Sequence, residues 1–114
     1  MPLIRIDTNR QLDAEDEKNL VQDLSALAAG ALGKPESYVM IHLQPGQAMA
    51  FAGSDDPLAN VEVKSIGLAA SETARLSKLL CGFLKDRLQI EPRRVYIQFT
   101  PVPSAFWGWN SGTF

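Results

Sequence analysis

The chain has 114 residues, 46% of them hydrophobic and 21% charged, with a formal net charge of −2. At this length roughly two-thirds of the unfolded surface can be buried, enough for one core, so residues 1–114 read as a single domain. No basic block stands behind the charge balance, which argues against nucleic acid as a partner, and no run approaches the roughly 18 apolar residues of a membrane span. The lone Cys81 excludes an intrachain disulfide, a CxxC redox pair and a multi-cysteine zinc site, so neither metal nor cofactor is expected.

The opening "PLIRIDT" alternates Ile4 and Ile6 with Arg5 and Asp7, the period of a strand with one buried face. It lacks the basic and long apolar regions of a secretory signal, which gives a cytoplasmic expectation, with non-classical secretion left open. Asp13 then precedes "AEDEKNLVQDLSALAAGALG", in which Leu20, Leu24, Leu27, Ala28 and Ala31 recur at helical spacing and Gly33 marks the stop. The acidic run Glu15, Asp16 and Glu17 falls in the first turn, where the helix dipole favours carboxylates, and is read that way rather than as a cation site. "YVMIHLQP" predicts a second strand, with the lone histidine, His42, in its middle as a structural residue.

After the turn-rich "GQAMAFAGSDDPLA", the segment "NVEVKSIG" predicts a third strand on Val61, Val63 and Ile66. "ASETARLSKLLCGFLKDRLQI" predicts a second helix with Leu76, Leu80, Phe83, Leu84 and Leu88 on one stripe. "EPRRVYIQFTP" is the last strand, and the closing "AFWGWNSGTF" is too apolar to be loose. The two halves repeat: Val39 matches Val95, Ile41 matches Ile97, Leu43 matches Phe99 and Pro45 matches Pro101. A duplicated β-α-β unit favours parallel pairing within each half, and so an α+β arrangement of a four-stranded mixed sheet with both helices on one face. The other face must then meet solvent or further subunits.

Pro2 raises a chemical question. If Met1 is removed, as a small second residue permits, Pro2 carries a secondary amine that no internal proline offers. An α-amino group has a reference pKa of roughly 8, so such a base must be tuned downwards to be neutral at working pH. Burial beside aromatic side chains and a nearby lysine would both do this. A retained Met1 would acylate the nitrogen and silence it. The plain alternatives are that Pro2 is an ordinary strand-start residue, Lys34 a solvated turn lysine, Tyr96 a packing residue, and Trp107 with Trp109 an interface anchor.

The chain resembles the macrophage migration inhibitory factor family of the tautomerase superfamily. The resemblance runs end to end through "MP" with "DTN", "GKP", "MAFAGS", "SIG", "SKLLCGFL", "RVYI", "GWN" and "TF". It implies a tautomerase-type fold assembled as a homotrimer, with three sheets lining a central channel and an active site at each subunit interface. It implies keto-enol tautomerisation of phenylpyruvate-like aromatic α-keto acids and isomerisation of D-dopachrome-like compounds, with Pro2 as the catalytic base. Lys34 matches the substrate-contacting lysine, Ile66 a residue whose backbone N–H contacts substrate, Tyr96 the pocket tyrosine, and Trp109 and Phe114 the aromatic wall.

Departures from the family pattern also bear on function. Leu58 and Val61 stand where mammalian members carry a CxxC linked to thiol oxidoreductase behaviour, so that activity is not expected. Gln98 replaces a pocket asparagine and Trp107 a small aliphatic residue, which implies a tighter site. Gly46 and "RQLDAED" replace charged positions associated with receptor binding, and whether the chain binds a receptor stays open. The leading expectation is an isomerase of aromatic α-keto acids. The alternative is a secreted cytokine-like immunomodulatory ligand whose pocket is vestigial.

Overall fold

The computed structural model describes residues 1–114. The period-2 segments become strands β1 (Leu3–Thr8), β2 (Met40–Gln44), β3 (Ala59–Ser65) and β4 (Val95–Pro101), in the spatial order β2-β1-β3-β4. β1 pairs parallel with β2, β3 pairs parallel with β4, and the two halves meet antiparallel along β1 and β3. This is the duplicated β-α-β arrangement that the repeat implies.

The helices are α1 (Ala14–Leu32) and α2 (Thr73–Leu88). The Asp13 side chain accepts the Asp16 N–H at 2.8 Å to cap α1, and Gly33 ends it in the left-handed conformation, at φ 63°. α2 ends in the same conformation at Gln89, φ 55°, without a glycine. Leu20, Leu24 and Ala28 of α1 and Leu80, Leu84 and Leu88 of α2 form one buried cluster with Ile4, Ile6, Val61 and Val63. Those strand residues share one parity, so both helices cover the same face of the sheet.

The other face carries Arg5, Asp7, His42, Glu62, Lys64, Tyr96 and Gln98, every second residue of the same strands. The middle row runs His42, Arg5, Glu62, Gln98 across the four strands. His42 is therefore not a packed interior residue: it is exposed, and Gln44 is its side-chain neighbour at 3.4 Å.

Two sequence expectations shift at element ends. Ile66 is not part of the third strand's buried alternation, because β3 stops at Ser65 and that buried position is filled by Ser65 itself. Tyr38, read as strand, lies in a 3₁₀ turn (Glu36–Tyr38) that follows Pro35. The aromatic tail is ordered as a 3₁₀ turn (Ser104–Phe106) and a small hairpin of β5 (Gly108–Trp109) and β6 (Gly112–Thr113).

The loop before β3 is held by Arg94, only 8% exposed. Its guanidinium donates to the carbonyls of Phe51, Ser54, Asp56 and Pro57 at 2.9 to 3.1 Å, and it lies 5.5 Å from the centre of the Phe51 ring. One side chain thus satisfies backbone acceptors that no ladder reaches.

Candidate active site

β1 begins beside the start of β2, and the Met40 N–H donates to the Pro2 carbonyl at 2.9 Å, extending the parallel ladder by one residue. Pro2 is consequently buried at the end of the sheet, where a cavity of about 560 Å³ opens. Three groups of side chains line it. Tyr38 and Met40 come from the approach to β2, Lys64 from the end of β3, and Phe106, Trp107, Trp109 and Phe114 from the tail.

Aromatic packing gives this wall its shape. Trp109 and Phe114 stack at 5.3 Å with their planes 15° apart, and the Tyr38 ring meets both edge-on at 5.3 and 5.4 Å. Edge-to-face and offset contacts of this kind fix ring orientation beyond simple apolar burial. The 3₁₀ turn is what turns Tyr38 toward the tail.

The terminal amine of the chain donates to the Tyr38 carbonyl at the cavity's edge. Its pKa is lowered from the ordinary α-amino value, first by burial and second by the positive charge of Lys34. Both causes disfavour a cation at this point of the fold.

The structure brings some of the sequence-chosen residues together and leaves others apart. Pro2, Trp107, Trp109 and Phe114 share the cavity. Lys34 and Ile66 line a second cleft of about 380 Å³, formed where α1 ends and β3 turns away. Tyr96 and Gln98 do not reach Pro2 within one chain: they sit on the uncovered sheet face, paired in register with Asn60 and Glu62. There the Tyr96 ring lies 4.7 Å from Phe51.

Tyr38, Met40, Lys64 and Phe106 line the cavity without having been singled out from sequence. Lys64 had a readable signal, since its parity in "NVEVKS" is opposite to Val61 and Val63. Tyr38 had none, because a tyrosine beside valine and isoleucine reads equally well as strand.

The model of the family described as macrophage migration inhibitory factor matches residues 1–114. The chain is 41% identical to the macrophage migration inhibitory factor of Meriones unguiculatus over all of this chain and 99% of that protein. It is also 41% identical to the homolog from Brugia malayi, with the same coverage. The crystal structure of the homologue from Prochlorococcus marinus superposes with a TM-score of 0.92 at 46% identity, covering 98% of each chain. Fold and sequence thus define a protein of the tautomerase-superfamily type. The chain belongs to the macrophage migration inhibitory factor family.

Proposed function

We propose that this protein is a keto-enol tautomerase of aromatic α-keto acids of the phenylpyruvate and hydroxyphenylpyruvate type, with D-dopachrome isomerisation as a side activity. Family membership supports a tautomerase-type activity. The observation that carries the finer reading is the place of Pro2, buried at an aromatic-walled cavity where the terminal amine is already held below its ordinary pKa. Once Met1 is removed, the Pro2 nitrogen becomes the terminal amine, and burial with a nearby lysine would disfavour its charged form in the same direction.

The chemistry needs a neutral base and a positive group near developing negative charge. The Pro2 nitrogen takes a proton from the carbon next to the keto group. The C–H electron pair becomes the C=C bond, the carbonyl π pair moves to oxygen, and the proton returned to that oxygen completes the enol. In this reading Lys34 pairs with the substrate carboxylate, the Ile66 backbone N–H orients it, and Trp107, Trp109 and Phe114 hold the aromatic ring.

Tyr96 and Gln98 belong to the site only if a neighbouring copy supplies them, which is the homotrimeric part of the proposal. Support for assembly comes from exposed Met40, Tyr96, Phe106 and Trp109, at 64, 65, 82 and 50% exposure, and from edge strands β2 and β4 whose helix-facing residues are only partly buried.

Turnover of phenylpyruvate by methionine-free protein is the test. N-acetylation of Pro2, which turns its nitrogen into an amide, should lower kcat by about two to four orders of magnitude, the range expected for loss of a positioned general base, whereas Pro2→Gly keeps a terminal amine and should lose less. A nitrogen that titrates above about pH 9 in the processed chain would remove the base. The cytokine-like ligand with a vestigial pocket predicts no turnover by either protein, and the family name of the curated relatives is what favours keeping it as the second reading.

A further inference from the structure

The chain makes two tight hairpins, and each sets an aromatic residue just before its turn. Phe51 and Ser54 bracket Ala52 and Gly53, exchanging backbone hydrogen bonds at 2.9 and 3.0 Å. Trp109 pairs with Gly112 across Asn110 and Ser111. All the turn residues have positive φ, at 53° and 75° in the first hairpin and 50° and 65° in the second. A two-residue loop with both angles positive is a type I′ turn, whose favoured pair is Asn-Gly.

The hairpins differ in what holds that conformation. In the first, Gly53 takes the second position without steric cost, and the buried Arg94 guanidinium clamps the carbonyls of Phe51 and Ser54. In the second, Asn110 tolerates a left-handed backbone, but Ser111 stands where glycine is favoured, and its Cβ crowds the chain there. Every residue from Gly108 to Thr113 is exposed, and a lone two-stranded hairpin is marginal in water. What offsets the strain is the stack of Trp109 on Phe114 and the edge-on contact of Tyr38 with both. The rings that wall the Pro2 cavity are thus the same ones that keep the strained turn closed.

We propose that Ser111 is a positioning residue for aromatic ligands of the Pro2 cavity: its strained turn sets how much of the protein holds Trp109 and Phe114 in the closed wall. When the hairpin opens, the stack is lost and the cavity has no platform for a ring. Observed affinity is then the intrinsic one reduced by the closed fraction. This rests on the α-keto acid reading only for its turnover measurement, while ring binding in the cavity stands apart from it.

The experiment compares methionine-free protein with Ser111 intact, Ser111→Gly and Ser111→Val. The probe is 3-phenylpropionate, which carries the ring and carboxylate but no keto group, titrated by calorimetry. Ser111→Gly, which completes the favoured turn pair, should bind it about two- to tenfold more tightly, and Ser111→Val, β-branched at a positive φ, at least about threefold more weakly. The KM for phenylpyruvate should shift in the same order with kcat unchanged within about twofold, since the Pro2 nitrogen is untouched. A variant that only unfolds part of the sample lowers kcat and leaves KM alone. Acrylamide quenching of tryptophan emission without ligand should be strongest in Ser111→Val and weakest in Ser111→Gly. Equal affinities in all three proteins, tighter binding by Ser111→Val, or no binding of 3-phenylpropionate with Ser111 intact overturn the proposal. If the affinities follow the expected order and no protein turns over phenylpyruvate, the tautomerase reading falls and the role of Ser111 stands.

Discussion

Ile6 and Arg5 are neighbours on β1, yet they belong to two different surfaces. Ile6 points into the helix-covered layer and is fully buried among Leu24, Leu84 and Val61, while Arg5 lies half-buried on the bare side among Asp7, Gln44 and Glu62. The same alternation that makes one side a core makes the other a ladder of charges and amides. Stability therefore resides in one face, whereas the other face and its rim are where the proposed assembly and ligand recognition would fall.

Substitutions on either side of β1 measure that division. Ile6→Ala should cost about 2–5 kcal/mol, because the removed methyl groups leave a cavity in a layer closed by two helices. Urea unfolding at fixed protein concentration reads this directly, the concentration being held constant because association contributes. Arg94→Met comes next, at about 1–3 kcal/mol, since several carbonyls of the loop at Phe51–Pro57 lose their donor. The same variant should loosen the Phe51 contact with Tyr96, seen as faster amide exchange across the loop than in the helices.

Arg5→Ala should cost less than about 1 kcal/mol, because its pair with Asp7 is 3.5 Å long and only partly shielded from solvent. A loss equal to that of Ile6→Ala would mean that the bare face is as much a core as the covered one. The smallest effect concerns the amine of Met1-retaining protein. Its folded pKa is lowered, so its contribution to stability is fully present above the ordinary α-amino value of about 8 and is lost as pH falls below it. The melting temperature of this chain, relative to its N-acetylated form, should rise between about pH 6 and pH 9. The opposite slope would mean that the amine is held as a cation instead.

Much of the fold was legible because its signals are local. Alternation at Ile4, Ile6, Val61 and Val63, the Asp13 cap and the Gly33 stop each need only a few residues to be recognised. Gln89 ends α2 without glycine, and nothing in its neighbourhood announces a left-handed residue. Arg94 beside the exposed Arg93 gives no sign in sequence that it is buried, since its partners are backbone carbonyls about 40 positions earlier.

The candidate site was less legible, for a geometrical reason. Pro2, Tyr38, Lys64 and Phe114 come from four distant segments, and only β-sheet register brings the first three to the same end. Tyr96 and Gln98 were chosen through family resemblance, and one chain leaves them on another surface. A linear reading identifies residue types but does not distinguish a neighbour within the chain from one supplied by another copy.

The placement of the indoles has a practical consequence. The chain has two tryptophans, Trp107 and Trp109, and both line the Pro2 cavity. Its intrinsic ultraviolet emission is therefore a label-free reporter of that one location. With excitation beyond the tyrosine band, quenching or a spectral shift on adding a ligand would measure occupancy there through the two indoles alone.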